Sequence, residues 1–180
     1  MEDYMIAGTC PLCGKPVIKT CKGFRCQGNF QQENPCQFSL LPIVCNRRLS
    51  DAEVSSLLAR ETLLLDGMAT KEGKSFTSAV SMGDDGKLVV DSKISRCPKC
   101  GYPVYVGAKA FSCGNHADEA NRCPFVIWRN YGGYDVTLDD VKAICENGVT
   151  PDEKTMFHDD GKPYTKRLAL TPEKDKIVRI

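Results

Sequence analysis

The stretch Cys10-Pro11-Leu12-Cys13-Gly14 decides the fold of this protein, because it returns later in the chain as Cys97-Pro98-Lys99-Cys100-Gly101. A Cys-x-x-Cys pair followed by glycine forms a tight turn that points two thiolates toward one tetrahedral metal ion. A four-cysteine site needs two further ligands downstream of each turn. The repeated turn therefore predicts two metal sites in one chain.

The chain is an internal duplication, which becomes visible when the sequence is shifted so that Cys10 falls on Cys97. Four cysteines then coincide without a gap. After one inserted residue the match continues, with Gly73-Lys74-Ser75-Phe76 on Gly161-Lys162-Pro163-Tyr164. Each half is thus a cysteine-rich module followed by a cysteine-poor one. The coinciding cysteines are Cys10 with Cys97, Cys13 with Cys100, Cys26 with Cys113, and Cys36 with Cys123.

Local patterns predict the secondary structure of both modules. Short apolar stretches around a Lys/Gly turn predict hairpins over 16–19 with 24–26 and over 103–106 with 111–113. Ser50-Asp51-Ala52-Glu53 and Thr137-Leu138-Asp139-Asp140 are typical of the start of a capped helix of two to three turns. Further strands are predicted over 74–81, 87–91, 164–170 and 176–180.

These elements predict a small α+β fold. It is a tandem duplication of a four-cysteine zinc ribbon followed by a module of one helix and antiparallel strands. The predicted boundaries are 8–46 for the first ribbon, 47–91 for the first helix-strand module, 92–96 for a linker, 97–131 for the second ribbon and 132–180 for the second module.

Composition limits the class of protein. The 180 residues are 42% hydrophobic and 26% charged, which favours a compact core and excludes a large multi-domain enzyme. No apolar run approaches the roughly 18 residues of a membrane helix. We therefore expect a monomer without a membrane segment, located in the cytoplasm.

The eleven cysteines are better explained by metal than by disulfides, because an odd number leaves one unpaired and nothing else indicates a secreted framework. Four thiolates form a closed structural zinc site with no open position for substrate or water. Buried free cysteines and an iron–sulfur cluster are the alternatives. We predict two structural Zn²⁺ ions, bound by Cys10, Cys13, Cys26 and Cys36 and by Cys97, Cys100, Cys113 and Cys123.

Cys21 leaves one alternative open in the first site, because it could take the place of Cys36 in the quartet. The duplication favours Cys36, whose counterpart is Cys123, whereas the counterpart of Cys21 is Ala108. Cys145 falls on the apolar face of the second predicted helix and is most simply a small hydrophobic residue.

The formal net charge of +1 hides a segregation of charge. Residues 1–50 carry six Lys or Arg against three Asp or Glu, and residues 92–131 carry six against two, whereas the remaining ranges are acidic. Aromatic residues also concentrate in and just after the ribbons. Basic side chains interleaved with exposed aromatic rings are typical of single-stranded nucleic acid binding, in which phosphates are attracted and bases stack.

The aromatic residues divide into two groups. Those that recur in both halves, Phe24 with Phe111 and Phe38 with Phe125, are better explained as core residues. The unmatched rings are the stacking candidates, namely Tyr102, Tyr105, Trp128 and Tyr131. The candidate phosphate contacts are Lys15, Lys19, Lys22, Arg25, Arg47, Arg48, Lys99, Lys109 and Arg129.

The order of motifs in each half carries a family resemblance. In the second half, the Cys97 turn is followed by Cys113, by Cys123-Pro124-Phe125-Val126-Ile127-Trp128 and by Val136-Thr137-Leu138-Asp139-Asp140-Val141. In the first half, the cysteines precede Arg48-Leu49-Ser50-Asp51-Ala52-Glu53-Val54 and Gly73-Lys74-Ser75-Phe76. This coupling of a ribbon to a helix and a Gly-Lys-x-aromatic strand resembles the C-terminal region of type IA DNA topoisomerases, especially bacterial topoisomerase III.

The resemblance implies a non-catalytic module. In that family such tails bind single-stranded DNA beside a catalytic core, and in some members they contact other proteins such as RNA polymerase. Strand cleavage there needs a tyrosine in a large toroidal domain and an acidic magnesium site, and two repeats leave no room for either. The implied partners are single-stranded DNA, a topoisomerase catalytic core and RNA polymerase, and the implied location is the bacterial cytoplasm, associated with the nucleoid.

A zinc-ribbon adaptor that docks proteins is the alternative function, with transcription or mobile-element machinery as partners. Salt dependence separates the two, because contacts to several phosphates weaken steeply with salt while a largely apolar protein contact need not. An enzymatic function would require a zinc with three protein ligands and a water.

Overall fold

The computed structural model describes residues 5–180, which divide between Asp91 and Ser92 into two compact units. The strands of the first unit are β1 (Ile6–Thr9), β2 (Pro16–Thr20), β3 (Gly23–Cys26), β4 (Ser39–Leu40), β5 (Ile43–Val44), β6 (Arg47–Arg48), β7 (Leu63–Ala69), β8 (Ser75–Met82) and β9 (Leu88–Asp91). Its helices are the short 3-10 helix Gln27–Phe30 and α1 (Asp51–Leu58).

The second unit repeats this order of elements. Its strands are β10 (Lys93–Arg96), β11 (Pro103–Val106), β12 (Ala110–Cys113), β13 (Val126–Trp128), β14 (Asn130–Tyr131), β15 (Tyr134–Asp135), β16 (Lys154–Phe157), β17 (Pro163–Lys166), β18 (Leu168–Leu170) and β19 (Ile177–Arg179). Its helices are the 3-10 helix Gly114–Ala117 and α2 (Leu138–Asn147). Among the described residues, neither α1 nor α2 is long and apolar enough to span a membrane.

Each ribbon is a four-stranded antiparallel sheet, with order β1-β2-β3-β4 in the first unit and β10-β11-β12-β13 in the second. The predicted hairpins are confirmed. Val17 pairs with Cys26 in the first ribbon and Val104 pairs with Cys113 in the second, so the duplication extends to the register of the strands. These pairings bring the third cysteine of each set beside the strand that follows the Cys-x-x-Cys turn.

The range 92–96, which we expected to be a linker, differs from that expectation because it supplies strand β10. Lys93 lies opposite Tyr105 and Arg96 lies opposite Pro103 in the antiparallel pair with β11. Most residues of this strand are polar, so the sequence lacks the apolar alternation by which a strand is predicted. The free edge of β11 nevertheless offers backbone groups that need hydrogen-bond partners, and β10 satisfies them.

Both predicted helices are confirmed, together with their caps. Ser50 and Glu53 form a reciprocal capping box at the start of α1, and Thr137 and Asp140 form one at the start of α2. Each box satisfies two backbone N–H groups that the first helical turn leaves without partners. At the far end of α2, Gly148 adopts a left-handed conformation with a φ of 80°, which suits glycine at the end of a helix.

The strands after the helices differ between the two units. In the first, β7, β8 and β9 form one three-stranded sheet. In the second, the strand predicted over 164–170 is split at Arg167, so that β17 pairs with β16 while β18 pairs with β19. Pro151 occupies the position equivalent to Leu63, the first residue of β7, and proline cannot donate a ladder hydrogen bond.

The ribbon and the helix of the first unit share one hydrophobic core. Phe24 and Phe38 from the ribbon belong to the same buried cluster as Val54 and Leu57 from α1 and Met68 from β7. The predicted core role of the recurring aromatic residues is confirmed, because all four phenylalanines are at most 2% exposed. The first ribbon therefore packs against its own helix and strands, which limits the faces that it can offer to a partner.

Candidate metal centres and nucleic-acid interface

Each unit gathers four cysteine sulfur atoms at one end of its ribbon. Within each quartet all four sulfurs lie within 4.8 Å of one another. Two come from the Cys-x-x-Cys turn before the second strand of each ribbon, which is β2 or β11. The other two flank the loop that carries the 3-10 helix. The quartets are Cys10, Cys13, Cys26 and Cys36, and Cys97, Cys100, Cys113 and Cys123.

The Cys-x-x-Cys turn has the same geometry in both units. The Gly14 N–H donates to the carbonyl of Cys10 at 3.0 Å, and the Cys10 N–H donates to the carbonyl of Lys15 at 2.8 Å. Gly14 and its counterpart Gly101 have φ values of 73° and 76°, a left-handed conformation that glycine adopts without steric cost. The glycine therefore lets the chain turn back while both cysteine sulfurs point into the quartet.

The sulfur spacing fits a tetrahedral metal ion. The Cys10 and Cys36 sulfurs are 3.7 Å apart and the Cys13 and Cys26 sulfurs are 3.3 Å apart, and both distances recur in the second quartet. A zinc–sulfur bond of about 2.3 Å places tetrahedral ligands about 3.8 Å from each other. A disulfide would require roughly 2.05 Å. Each quartet could therefore hold one metal ion.

Electrostatics also favour a cation in these quartets. Burial raises the pKa of Cys26 to about 12 and that of Cys97 to about 11. The backbone N–H of Lys15 lowers the pKa of the exposed Cys13 to about 7. Buried thiols therefore stay protonated unless a positive charge compensates their ionisation, and a bound metal ion supplies that charge.

The structure separates the two candidates for the fourth ligand of the first site. Cys36 lies in the quartet, whereas Cys21 is exposed at the turn between β2 and β3 and lies outside it. Cys145 is partly buried on α2, and burial raises the pKa of its thiol to about 11, in keeping with a packing role. This geometry favours Cys36, as the duplication did.

The second ribbon presents two aromatic rings on one exposed face of its sheet. Phe111 pairs with Ile127, and both are fully buried on the opposite face. Residues one position along each strand must then point outward. Tyr105 and Trp128 occupy such outward positions and are 37% and 56% exposed. Tyr102, in the loop before β11, is also exposed.

The equivalent face of the first ribbon is aliphatic. By the duplication, Trp128 corresponds to Leu41, which is 66% exposed, and Lys93 corresponds to Ile6, which is also exposed. Arg25 is exposed on this face beside Ser39. The two ribbons thus have the same backbone fold, but the exposed side chains on this face are aliphatic in the first and aromatic in the second.

Several of the predicted basic contacts already have intramolecular partners. Lys19 pairs with Asp51 of α1, and Arg47 donates to Glu53 at 2.7 Å. Backbone carbonyls accept hydrogen bonds from the Lys99 ammonium, at 2.8 Å, and from the Arg129 guanidinium, at 3.2 Å. Lys15 is half-buried next to the first quartet. Lys19 and Lys99 remain exposed despite these contacts, and the other exposed members of the predicted set are Lys22, Arg25, Arg48 and Lys109.

Tyr131 departs from the expectation that it stacks on a base. It is only 9% exposed, and its hydroxyl oxygen accepts a hydrogen bond from the Trp128 backbone N–H at 3.1 Å. Its counterpart in the first unit is Val44, which is also buried. Tyr131 therefore supports the strand that carries Trp128, and the part of it that stays accessible lines the groove beside Trp128.

Three basic residues near the aromatic face were missed by sequence reasoning. Lys93 lies opposite Tyr105 on β10, in the range that we expected to be a linker. Lys176 lines a groove next to Trp128, and the charge of Arg179 acts on the phenol of Tyr131. Lys176 and Arg179 lie far from the ribbon in sequence and come from an acidic module, so only the packing of β19 reveals them.

Comparison with known proteins supports the predicted resemblance. Residues 35–92 match a family model described as the C-terminal repeat of topoisomerase, which confirms that expectation for the first unit. Over 186 aligned residues the chain is 23% identical to a DNA topoisomerase 1 of Bacillus anthracis. The alignment covers 99% of this chain but 21% of that protein, so the chain spans about a fifth of its relative. No solved structure matches the chain significantly.

Proposed function

We propose that this chain is a non-catalytic module that binds single-stranded DNA, as the C-terminal region or a free-standing relative of a type IA DNA topoisomerase. The observation that carries the proposal is the exposed face of the second ribbon, on which Tyr105 and Trp128 lie together. Stacking of unpaired bases on such rings contributes roughly 1–3 kcal/mol per base. Duplex DNA keeps its bases stacked inside and gains nothing from these rings.

Two zinc ions have a structural role in this proposal. Each would be held by four thiolates, which leaves no coordination position for a substrate. The chemistry supplied by the ion is the neutralisation of clustered thiolates and the closure of the loop between the third and fourth cysteine. The protein residues then hold the ribbon strands in register, and with them the outward rings.

Basic residues around the aromatic face would supply the phosphate contacts. Lys109 is exposed in the turn between β11 and β12, and Lys93 flanks Tyr105. Lys176 lines the groove beside Trp128, and the charge of Arg179 acts on the phenol of Tyr131. Cations around a stacking platform let one strand cross it with its phosphates held beside the rings.

The cellular context belongs to the same proposal. A DNA-binding module of this kind would act in the bacterial cytoplasm, associated with the nucleoid, next to a topoisomerase catalytic core or RNA polymerase. We propose that it binds as a monomer, because the aromatic face lies within one unit.

Fluorescence anisotropy tests the proposal. The zinc-loaded protein is titrated against a labelled single strand and against its duplex, at low and at physiological salt. We expect tighter binding of the single strand, with log affinity falling linearly as log salt rises. Equal affinity for duplex and single strand, or no binding of either at low salt, would overturn the proposal.

A protein-docking adaptor is the second candidate, and one observation favours it. The outward face of the first ribbon carries Ile6 and Leu41, and Ile43 follows close by; all three are more than half exposed. Exposed aliphatic side chains of this kind favour protein contacts over phosphates. Transcription or mobile-element machinery would be the partner, and binding of that partner should change little with salt.

A further inference from the structure

A groove opens beside the aromatic face of the second unit. It has a volume of about 430 Å³, within the usual range of small-molecule sites. Val126 and Trp128 of β13, Tyr131 of β14 and Ile177 of β19 line it. The groove therefore continues the proposed stacking surface and has room for a base that leaves the stack.

The charged residues of the groove are Asp175 and Lys176, which line it together with apolar and aromatic side chains. Lys176 is exposed and can meet a phosphate, which leaves Asp175 as the group that faces the edge of a base. An apolar slot with one oriented polar group is the usual construction of a site that selects among similar ligands.

Asp175 is held in a fixed position by the turn that precedes β19. The hydroxyl of Thr171 donates a hydrogen bond of 3.0 Å to one carboxylate oxygen of Asp175. An ionised carboxylate has about four acceptor positions, so this bond leaves others for a ligand. Because the carboxylate accepts but does not donate, it can bind a base through an N–H group and not through a carbonyl.

We propose that this groove binds one unstacked base of a single strand and prefers bases that carry an exocyclic amino group, through acceptance of an N–H bond by Asp175. Carboxylates accept in this way from the N4 amino group of cytosine in DNA recognition. Uracil and thymine present a carbonyl at that position, which would face the carboxylate with a second acceptor, and their one donor on this edge is the ring N3–H. The inference rests on the proposed function, because it assigns a base preference to the same surface.

Binding of matched oligonucleotides tests the preference. Oligo-dC and oligo-dU of equal length differ at position 4 of the base and in the N3 proton, and neither carries the thymine methyl group. Anisotropy titrations use the zinc-loaded full chain at slightly alkaline pH, where cytosine is unprotonated. We expect oligo-dC to bind about fivefold more tightly, as one net hydrogen bond would give.

Asp175→Asn provides the variant, and Asp159→Asn provides a control with the same change of charge on an exposed turn of the same unit. The asparagine can donate to a carbonyl, so the ratio of dC to dU affinity should fall to about one. The control should shift both affinities together and keep the ratio. Zinc content and Trp128 fluorescence report whether each variant is folded.

The outcomes separate the inference from the function on which it rests. Binding of both oligonucleotides with equal affinity by the unmodified protein would overturn the base preference and leave single-strand binding intact. A dC preference that survives in folded Asp175→Asn would overturn the role of Asp175. Failure of both oligonucleotides to bind would overturn the proposed function itself.

Discussion

The guanidinium of Arg47 donates a hydrogen bond of 2.7 Å to the carboxylate of Glu53, the residue that also closes the N-terminal cap of α1. In the second unit the equivalent carboxylate is Asp140, which closes the cap of α2 and pairs with the ammonium of Lys154 at 2.9 Å. Each carboxylate thereby links the start of a helix to a neighbouring strand. Both units therefore have an ion-paired carboxylate at the helix cap, and its cationic partner is Arg47 in the first unit and Lys154 in the second.

Glu53→Gln should destabilise the first unit by about 1 kcal/mol at neutral pH, because a partly buried ion pair and the charged half of a capping box are lost together. The hydrogen bond from Arg47 lowers the pKa of Glu53 from 4.5 to about 2. A carboxylate whose pKa is lower in the folded state stabilises the fold at pH values above its unfolded-state pKa. This stabilisation is lost as the pH falls through its folded-state pKa.

The difference in free energy of unfolding between the unmodified protein and Glu53→Gln should therefore be constant above about pH 5 and shrink between about pH 4.5 and pH 2. Amide hydrogen exchange in α1 measures it. Glu61→Gln is the control, because Glu61 is exposed beyond the end of the helix. A difference that does not change with pH would show that the Glu53 charge contributes nothing.

Asp140→Asn should lower the free energy of unfolding by roughly 3 kcal/mol, which is more than Glu53→Gln does, because it leaves the ammonium of Lys154 buried with a weaker partner. The Lys154 side chain is only 12% exposed and Asp140 only 2%. Although burial opposes ionisation, hydrogen bonds from Tyr134, Lys154 and Thr137 keep the pKa of Asp140 below its ordinary value. Denaturant unfolding followed by Trp128 fluorescence measures the loss.

The double variant Asp140→Asn with Lys154→Met removes both charges, and we expect it to recover much of the lost stability. Asp139→Asn is the matched control, since Asp139 lies in the same helical turn but its side chain is 92% exposed. If the double variant is as unstable as the single one, the cost arises from the cap and not from the ammonium of Lys154, which still pairs with Asp152 at 2.9 Å in the single variant.

Cys36→Ser should reduce the zinc content from two ions per chain to one, because it removes a member of the first quartet. Cys21→Ser should keep both ions, since Cys21 is exposed at a turn outside the quartet. Native mass spectrometry counts the bound ions. Loss of zinc in the Cys21 variant with retention in the Cys36 variant would reassign the fourth ligand.

Trp128→Ala should weaken binding of a single strand by roughly 1–3 kcal/mol while both zinc ions are retained, because it removes the largest ring of the exposed face. Phe30→Ala is the matched control, as Phe30 is a 65% exposed aromatic residue of the first unit that lies on a 3-10 helix and not on the sheet. Anisotropy measures both variants. Unchanged affinity in Trp128→Ala would remove this ring from the proposed DNA-binding surface.

Repetition made much of the architecture predictable from the sequence. The second copy of the cysteine motif favoured Cys36 over Cys21 as the fourth ligand, because a ligand recurs when a fold is duplicated. Recurrence likewise identified Phe24 and Phe111 as core residues. The capping boxes at Ser50 and Thr137 were equally visible, since a cap depends on residues within one helical turn. In these cases the physical cause acts over a few neighbouring positions or repeats at a fixed interval.

Features that depend on pairing between distant segments were not visible. The polar strand β10 forms because β11 offers it a free edge, and β18 parts from β17 because Pro151 interrupts the opposite strand. The burial of Tyr131 and the approach of Lys176 to Trp128 follow from the same long-range packing.

The sequence by itself determined the two cysteine quartets, the two capped helices and the duplication, because these rest on local spacing and on recurrence. The tertiary structure decided which side chains reach a partner. It turned Tyr105 and Trp128 outward on one face, buried most of Tyr131, and placed Asp175 and Lys176 in the lining of the groove beside Trp128. Strand pleat and sheet packing set the direction of a side chain, and both depend on contacts that the linear order of residues does not contain.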